Sequence, residues 1–170
     1  VEVLGRLGSW YVVHLNDDTV GAIASWYTKP YQSQQAVSPA QTAASQEELQ
    51  MLQLINKERA NAGLKPLEMD MELVKLARMK SKDMTDNNYF AHNSPTYGSP
   101  FDMMKNYGIK YTYAGENLAG NQSVEAAHKS LMNSSGHRAN ILKAEYNYIG
   151  IGIVNGGPYG KMFTQLFVGR

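Results

Sequence analysis

The sequence predicts an α+β sandwich in which a small antiparallel sheet is covered by helices and closed by a C-terminal β-hairpin. Three observations carry this. Between Ser45 and Leu142, polar capping residues precede segments whose apolar side chains recur at helical spacing. After Tyr146 the pattern changes to two β-rich runs around Asn155-Gly156-Gly157-Pro158, a strong hairpin signal. A further strand is expected near "ENLAG", between the third and fourth helices.

Taken in order, residues 1–27 read as strands: "VEVLG" alternates, "WYVVHL" is aromatic and β-branched, and "TVGAIASWY" follows a turn. So short a stretch buries no core of its own and is read as half of a small β-module. Residues 28–44, rich in Pro, Ser, Gln and Ala, form an expected linker. The compact domain is placed at 45–170. Ser45 and Glu48 make a capping box, and Leu49, Leu52, Ile55 and Arg59 then share a face. Gly63 and Pro66 stop that helix. Asp70 opens a second, with Leu73, Leu76, Ala77, Lys80 and Met84 as its stripe, ending in "TDNN". Ser99-Pro100 with Asp102 opens a third, which Gly108 ends. A fourth runs from Ser123 to about Asn133, and "GHRANIL" reads as a short fifth. In the hairpin, Ile149, Ile151 and Ile153 take one face, while Gly150 and Gly152 leave the other open to close approach.

Composition bounds the function. The 170 residues contain no cysteine, so disulfides and thiolate metal sites are excluded. Sixteen basic residues against 15 acidic give a net charge of +1, which argues against a nucleic-acid partner. No apolar run approaches the roughly 20 residues of a membrane span. The start at "VEVLG" falls mid-pattern and reads as part of something longer, with any export signal upstream.

There is no phosphate loop, dinucleotide fingerprint, HExxH or GxSxG. The search narrows to four histidines and the acids that could meet them. His14 is expected on a strand surface, and His128, between Glu125 and Lys129, on a solvated helix face. His92 lies in "YFAHNSP", Glu116 in the nearly uncharged "YAGENLAG", and His137 directly after Gly136 at a helix start. An acid in such a setting needs a partner or water. The spacing itself leaves two readings open: a shared site, or three side chains each satisfying backbone groups at the end of an element.

"YFAHNSPTYGSPFDMMKNYGI", "AGENLAGNQSVEAAHKSLMNSSGHRANIL", "YIGIGIV" and "FTQLF" occur in this order. Together, over about Glu47 to Val168, they resemble the bacterial branch of the CAP superfamily, named for cysteine-rich secretory proteins, antigen five and the plant pathogenesis-related proteins. The resemblance implies an α-β-α sandwich. It also implies that His92, Glu116 and His137 meet in one open cavity. Many members add a second acid there; this sequence has Ser134 at that place. Residues 1–27 resemble the second half of a bacterial Src-homology-three-like repeat, a common wall-binding module.

Two imidazoles and a carboxylate, His92, Glu116 and His137, would suit a divalent metal, zinc before others, with positions left for water or a ligand. Asn117, Gln165 and Ser134 are the neighbours expected to line the cavity or orient these groups. Ser134 and Ser135 are not expected to face His137, so no serine nucleophile is read from them. Two functions remain. The preferred one is an exported cell-envelope or spore-associated module that binds a peptide, glycan, lipid or protein in the cleft, with the N-terminal module on the cell wall. The alternative is a metal-dependent, protease-like hydrolase built on the same three residues as its catalytic group.

Overall fold

The structure, a computed structural model, describes the backbone of residues 2–7, 10–16 and 19–24, and residues 43–170 in full. The chain divides into two compact units, 1–37 and 38–170. In the first, β1 (Glu2–Leu7), β2 (Trp10–Asn16) and β3 (Thr19–Ala24) form an antiparallel sheet in that order. The side chain of His14 and most of the expected linker lie outside the described residues.

Among the described residues, the second unit carries five helices and a four-stranded sheet. The helices are α1 (Gln46–Asn61), α2 (Met71–Asp86), α3 (Pro100–Asn106), α4 (Val124–Asn133) and α5 (Ser135–Ile141). The strands are β4 (Glu68–Met69), β5 (Tyr113–Asn121), β6 (Tyr148–Asn155) and β7 (Lys161–Gly169). Their order is β4-β6-β7-β5, with β4 parallel to β6 and the other pairs antiparallel. The sheet is therefore mixed, not wholly antiparallel; β4 is two residues long and leaves no alternation to read. Among the described residues no helix is long and apolar enough to cross a membrane.

Local chemistry fixes the helix starts. Ser45 and Ser99 cap α1 and α3 with complete capping boxes through Glu48 and Asp102, and Asp70 and Ser123 cap α2 and α4. Gly63 (φ 72°) and Gly108 (φ 76°) take the left-handed position after α1 and α3. The buried stripe of α2 is the expected one: Leu73, Leu76, Ala77, Lys80 and Met84 are all at most 1% exposed. That of α1 is shifted. Leu49 is exposed and Met51 takes the core position, because the neighbouring Glu48 turns inward to pair with Arg78 of α2 at 2.6 Å.

The sheet separates two packing layers. On one face Met51 and Ile55 of α1, with Val124, Ala127 and Leu131 of α4, pack on Ile149, Ile151, Phe163 and Phe167. On the other, α2 and α3 pack on Leu166 and Val168. Here α2 lies directly on Gly150 and Gly152. A Cβ added at either would come within 2.1 Å of the backbone carbon of Leu73 or Ala77. Only glycine admits this approach, as the bare face of β6 predicts.

Candidate functional site

Glu116 and Asn117 are consecutive on β5, so their side chains leave opposite faces of the sheet. Glu116 stands in register with Leu166, on the α2 side, and Asn117 with Gln165, on the α1 and α4 side. Because β5 is an outer strand, groups from both layers can meet at its rim.

His92 arrives from the α2 layer. It lies between α2 and α3 in a segment without helix or strand, apart from the Ser94–Gly98 bridge. Its Nδ1 is 2.7 Å from Glu116 Oε1. The His92 side chain is 57% exposed and that of Glu116 2%, so the pair runs from solvent into the protein. Burial raises the Glu116 carboxyl above its ordinary value; the His92 hydrogen bond and the charge of Lys80 oppose that rise. Glu116 Oε2 is buried and has no hydrogen-bond partner among the described residues.

His137 arrives from the other layer, on the first turn of α5. Its backbone oxygen accepts from Asn117 Nδ2 at 3.1 Å, and its Nδ1 is 2.8 Å from Ser134 Oγ. This overturns the expectation that the serine does not face the ring. Ser134 makes no cap bond to the helix, and its hydroxyl meets the imidazole three residues on instead. Burial, and then the charge on His92, lower the pKa of His137.

Asn117 Nδ2 also donates to Gln165 Oε1 at 3.1 Å. Asn140, one turn after His137 on α5, donates to Asn117 Oδ1 at 2.9 Å and to the Glu116 backbone oxygen at 3.3 Å. Asn140 was not picked out from the sequence, although its place three residues after His137 sets both on one helix face. Gln165 is fully buried, and its Nε2 has no partner among the described residues.

The donor set decides how a metal could sit. Among the described residues no group of three His, Cys, Asp or Glu side chains is arranged to hold an ion. Three direct ligands do not fit as the side chains stand, because His92 and Glu116 hold each other through Nδ1 and Oε1. Each imidazole, however, has Nδ1 engaged, by Glu116 in one case and Ser134 in the other, which leaves Nε2 of each ring for a ligand.

His128 belongs elsewhere. It is 7% exposed, not on a solvated face, and its Nε2 is 3.9 Å from Glu58 Oε1 of α1. The neighbours on its own helix suggested solvent; α1, packed across it, removes the water. A separate open recess of about 450 Å³ is lined by Lys105, Gly108, Ile109, Lys110 and Tyr111, none of them part of the cleft.

Residues 52–167 match the CAP family, described as the cysteine-rich secretory protein family. YkwD of Bacillus subtilis (strain 168) is 51% identical over 132 residues, 77% of this chain and 50% of that protein. An extracellular protein of Bacillus anthracis containing an SCP domain is 36% identical with a TM-score of 0.65, over 73% of this chain and 40% of the other. An outer surface protein of Borrelia burgdorferi has the same fold, with a TM-score of 0.67 at 21% identity over 75% of this chain and 96% of its own. The chain thus spans about half or less of its Bacillus relatives. With the sandwich in place and His92 bonded to Glu116 at the rim of β5, this chain belongs to the CAP, or SCP-like, family.

Proposed function

We propose that this CAP domain works outside the cell, at the envelope or spore, as a binding module whose cleft takes a peptide, glycan, lipid or protein ligand at His92, Glu116 and His137. The observation that carries it is the buried Oε2 of Glu116, which has no donor among the described residues. A buried acceptor left unmet is costly, so a donor from a ligand, a water or a metal-bound water stabilises it. A divalent ion, zinc first, is the proposed cofactor. Nε2 of His92 and Nε2 of His137 would hold it, and it would supply a Lewis-acidic anchor for a ligand oxygen. Ser134 fixes the His137 ring, and Glu116 fixes the His92 ring. Asn117, Asn140 and Gln165 brace the strand-to-helix contact behind them. The extracellular and outer-surface character of two similar structures supports the location. The N-terminal unit, read as part of a Src-homology-three-like repeat, is proposed to hold the cell wall.

Binding is preferred to hydrolysis because Glu116, the one buried acid at the rim, is already committed to His92, which leaves no separate base. Titration calorimetry with zinc chloride on the full chain tests the cleft. The expected result is one ion bound, with affinity lowered at least roughly tenfold in His92→Ala and in His137→Ala. A peptide and ester library incubated with the zinc-loaded protein should show no turnover; metal-dependent turnover abolished by Glu116→Ala would overturn the reading in favour of a hydrolase. Glu116→Gln separates function from folding. Burial raises this carboxyl, so the charge it contributes to folding is unfavourable once pH passes the ordinary carboxylate range. The glutamine variant should therefore melt at the same temperature as wild type or higher at neutral pH, while its ligand affinity falls.

A further inference from the structure

His92 is placed by a segment with little regular structure, and that segment needs a fixed point. The structure supplies one in α2. Lys80 is 1% exposed, and its ammonium donates to Tyr89 Oη at 3.0 Å, to the Ala91 backbone oxygen at 2.7 Å and to the His92 backbone oxygen at 2.9 Å. An ammonium has three protons, and here each has an acceptor. Nothing is left over for proton transfer or for a ligand. Tyr89 in turn donates to Asp83, one turn along α2, and that carboxylate also accepts from Asn87 at 2.7 Å and from Ser94 and Thr96 at 2.6 Å each. Lys80 and Asp83 thus pin the segment on both sides of His92.

We propose that Lys80 is the positioning residue of the cleft: by holding the backbone oxygen of His92 it sets the imidazole against Glu116 and so aims the free Nε2. This rests on the cleft reading above and adds to it the residue that arranges it. Nearby charge alone would leave the ring free to turn; the bond to the residue's own carbonyl fixes the backbone from which the ring departs.

The test uses the full chain without any ligand, so that it reads the positioning and not the binding. Long-range proton–nitrogen correlation spectra report which ring nitrogen of neutral His92 carries the proton. In wild type a single form with the proton on Nδ1, toward Glu116, is expected. In Lys80→Met that preference should collapse toward the mixture of a free imidazole. Amide exchange over residues 90–98 should quicken at least roughly tenfold, while His137 keeps its own pattern. Tyr89→Phe removes one of the three acceptors and should give the same change in smaller measure, and it decides the matter should Lys80→Met fail to fold. An unchanged His92 tautomer and unchanged exchange in a folded Lys80→Met, or in Tyr89→Phe if only that variant folds, would overturn the proposal. Zinc affinity measured on the same samples keeps the two ideas apart. Absence of zinc binding in wild type counts against the metal alone, whereas an altered tautomer in the variant supports the positioning role regardless.

Discussion

His137 rides on a helix and His92 on a loop, yet both segments are tied down by a buried cation that donates to backbone carbonyls. On the His137 side the cation is Arg59 of α1, 1% exposed. Its guanidinium donates to the backbone oxygens of Lys65, Ile141, Lys143 and Tyr146 at 2.8 to 3.1 Å. On the His92 side it is Lys80. The difference follows from the two side chains. The planar fork of arginine reaches four acceptors spread from the end of α1 to the end of α5 and the turn into β6, so it joins elements. The compact ammonium of lysine gathers three acceptors from a short stretch of chain, so it shapes a loop. One cation sets where a helix lies, and the other sets where a single residue lies.

Three changes would break or sharpen this contrast. The largest effect is expected from Arg59→Met, which leaves four carbonyls without a donor and should cost about 3–5 kcal/mol. Urea unfolding measures it, and nitrogen chemical shifts of the rings should move at His137 and stay at His92. A loss below about 1 kcal/mol would mean that water replaces the guanidinium without penalty. Next comes Gly152→Ala on the opposite layer. The new methyl would sit 2.1 Å from the Ala77 carbonyl carbon, so α2 must lift from β6, at a cost of about 1–3 kcal/mol. Because α2 carries Lys80, the disturbance should now appear at His92 and spare His137. The smallest effect is a pH dependence. Burial lowers the pKa of His128, with Glu58 opposing. Its proton is then bound more readily by the unfolded chain, so stability is present above the ordinary imidazole range and is lost as pH falls through it. The half-buried His137 adds in the same direction. Melting curves between pH 7.5 and 5 should show this loss, and His128→Leu should flatten part of it.

Most of the fold was legible because its signals are local. A capping serine and its partner are three residues apart, and Gly150 and Gly152 mark a close approach from one strand's own alternation. The meeting of His92 with Glu116 was legible through the motifs that carry the family resemblance, not through spacing. What stayed hidden depends on distant partners. Arg59 looked like a long side chain lying along an apolar face, because its acceptors are up to 87 residues away. Lys80 was placed on the buried stripe of α2 without the loop it holds. His128 was misplaced for the same reason: its i−3 and i+1 neighbours, Glu125 and Lys129, describe one helix, and its burial comes from another. Ser134 was noticed as the absence of an acid, and its bond to His137 depends on the rotation of two side chains that sequence does not encode.

The proposed cleft would lie on an edge strand of the sheet and draw on segments that only pass by it. Exchanging or lengthening those passing segments would redraw the cleft's outline while the stacked layers beneath stayed as they are. On the binding reading proposed above, a scaffold organised this way would serve many recognition tasks with one architecture.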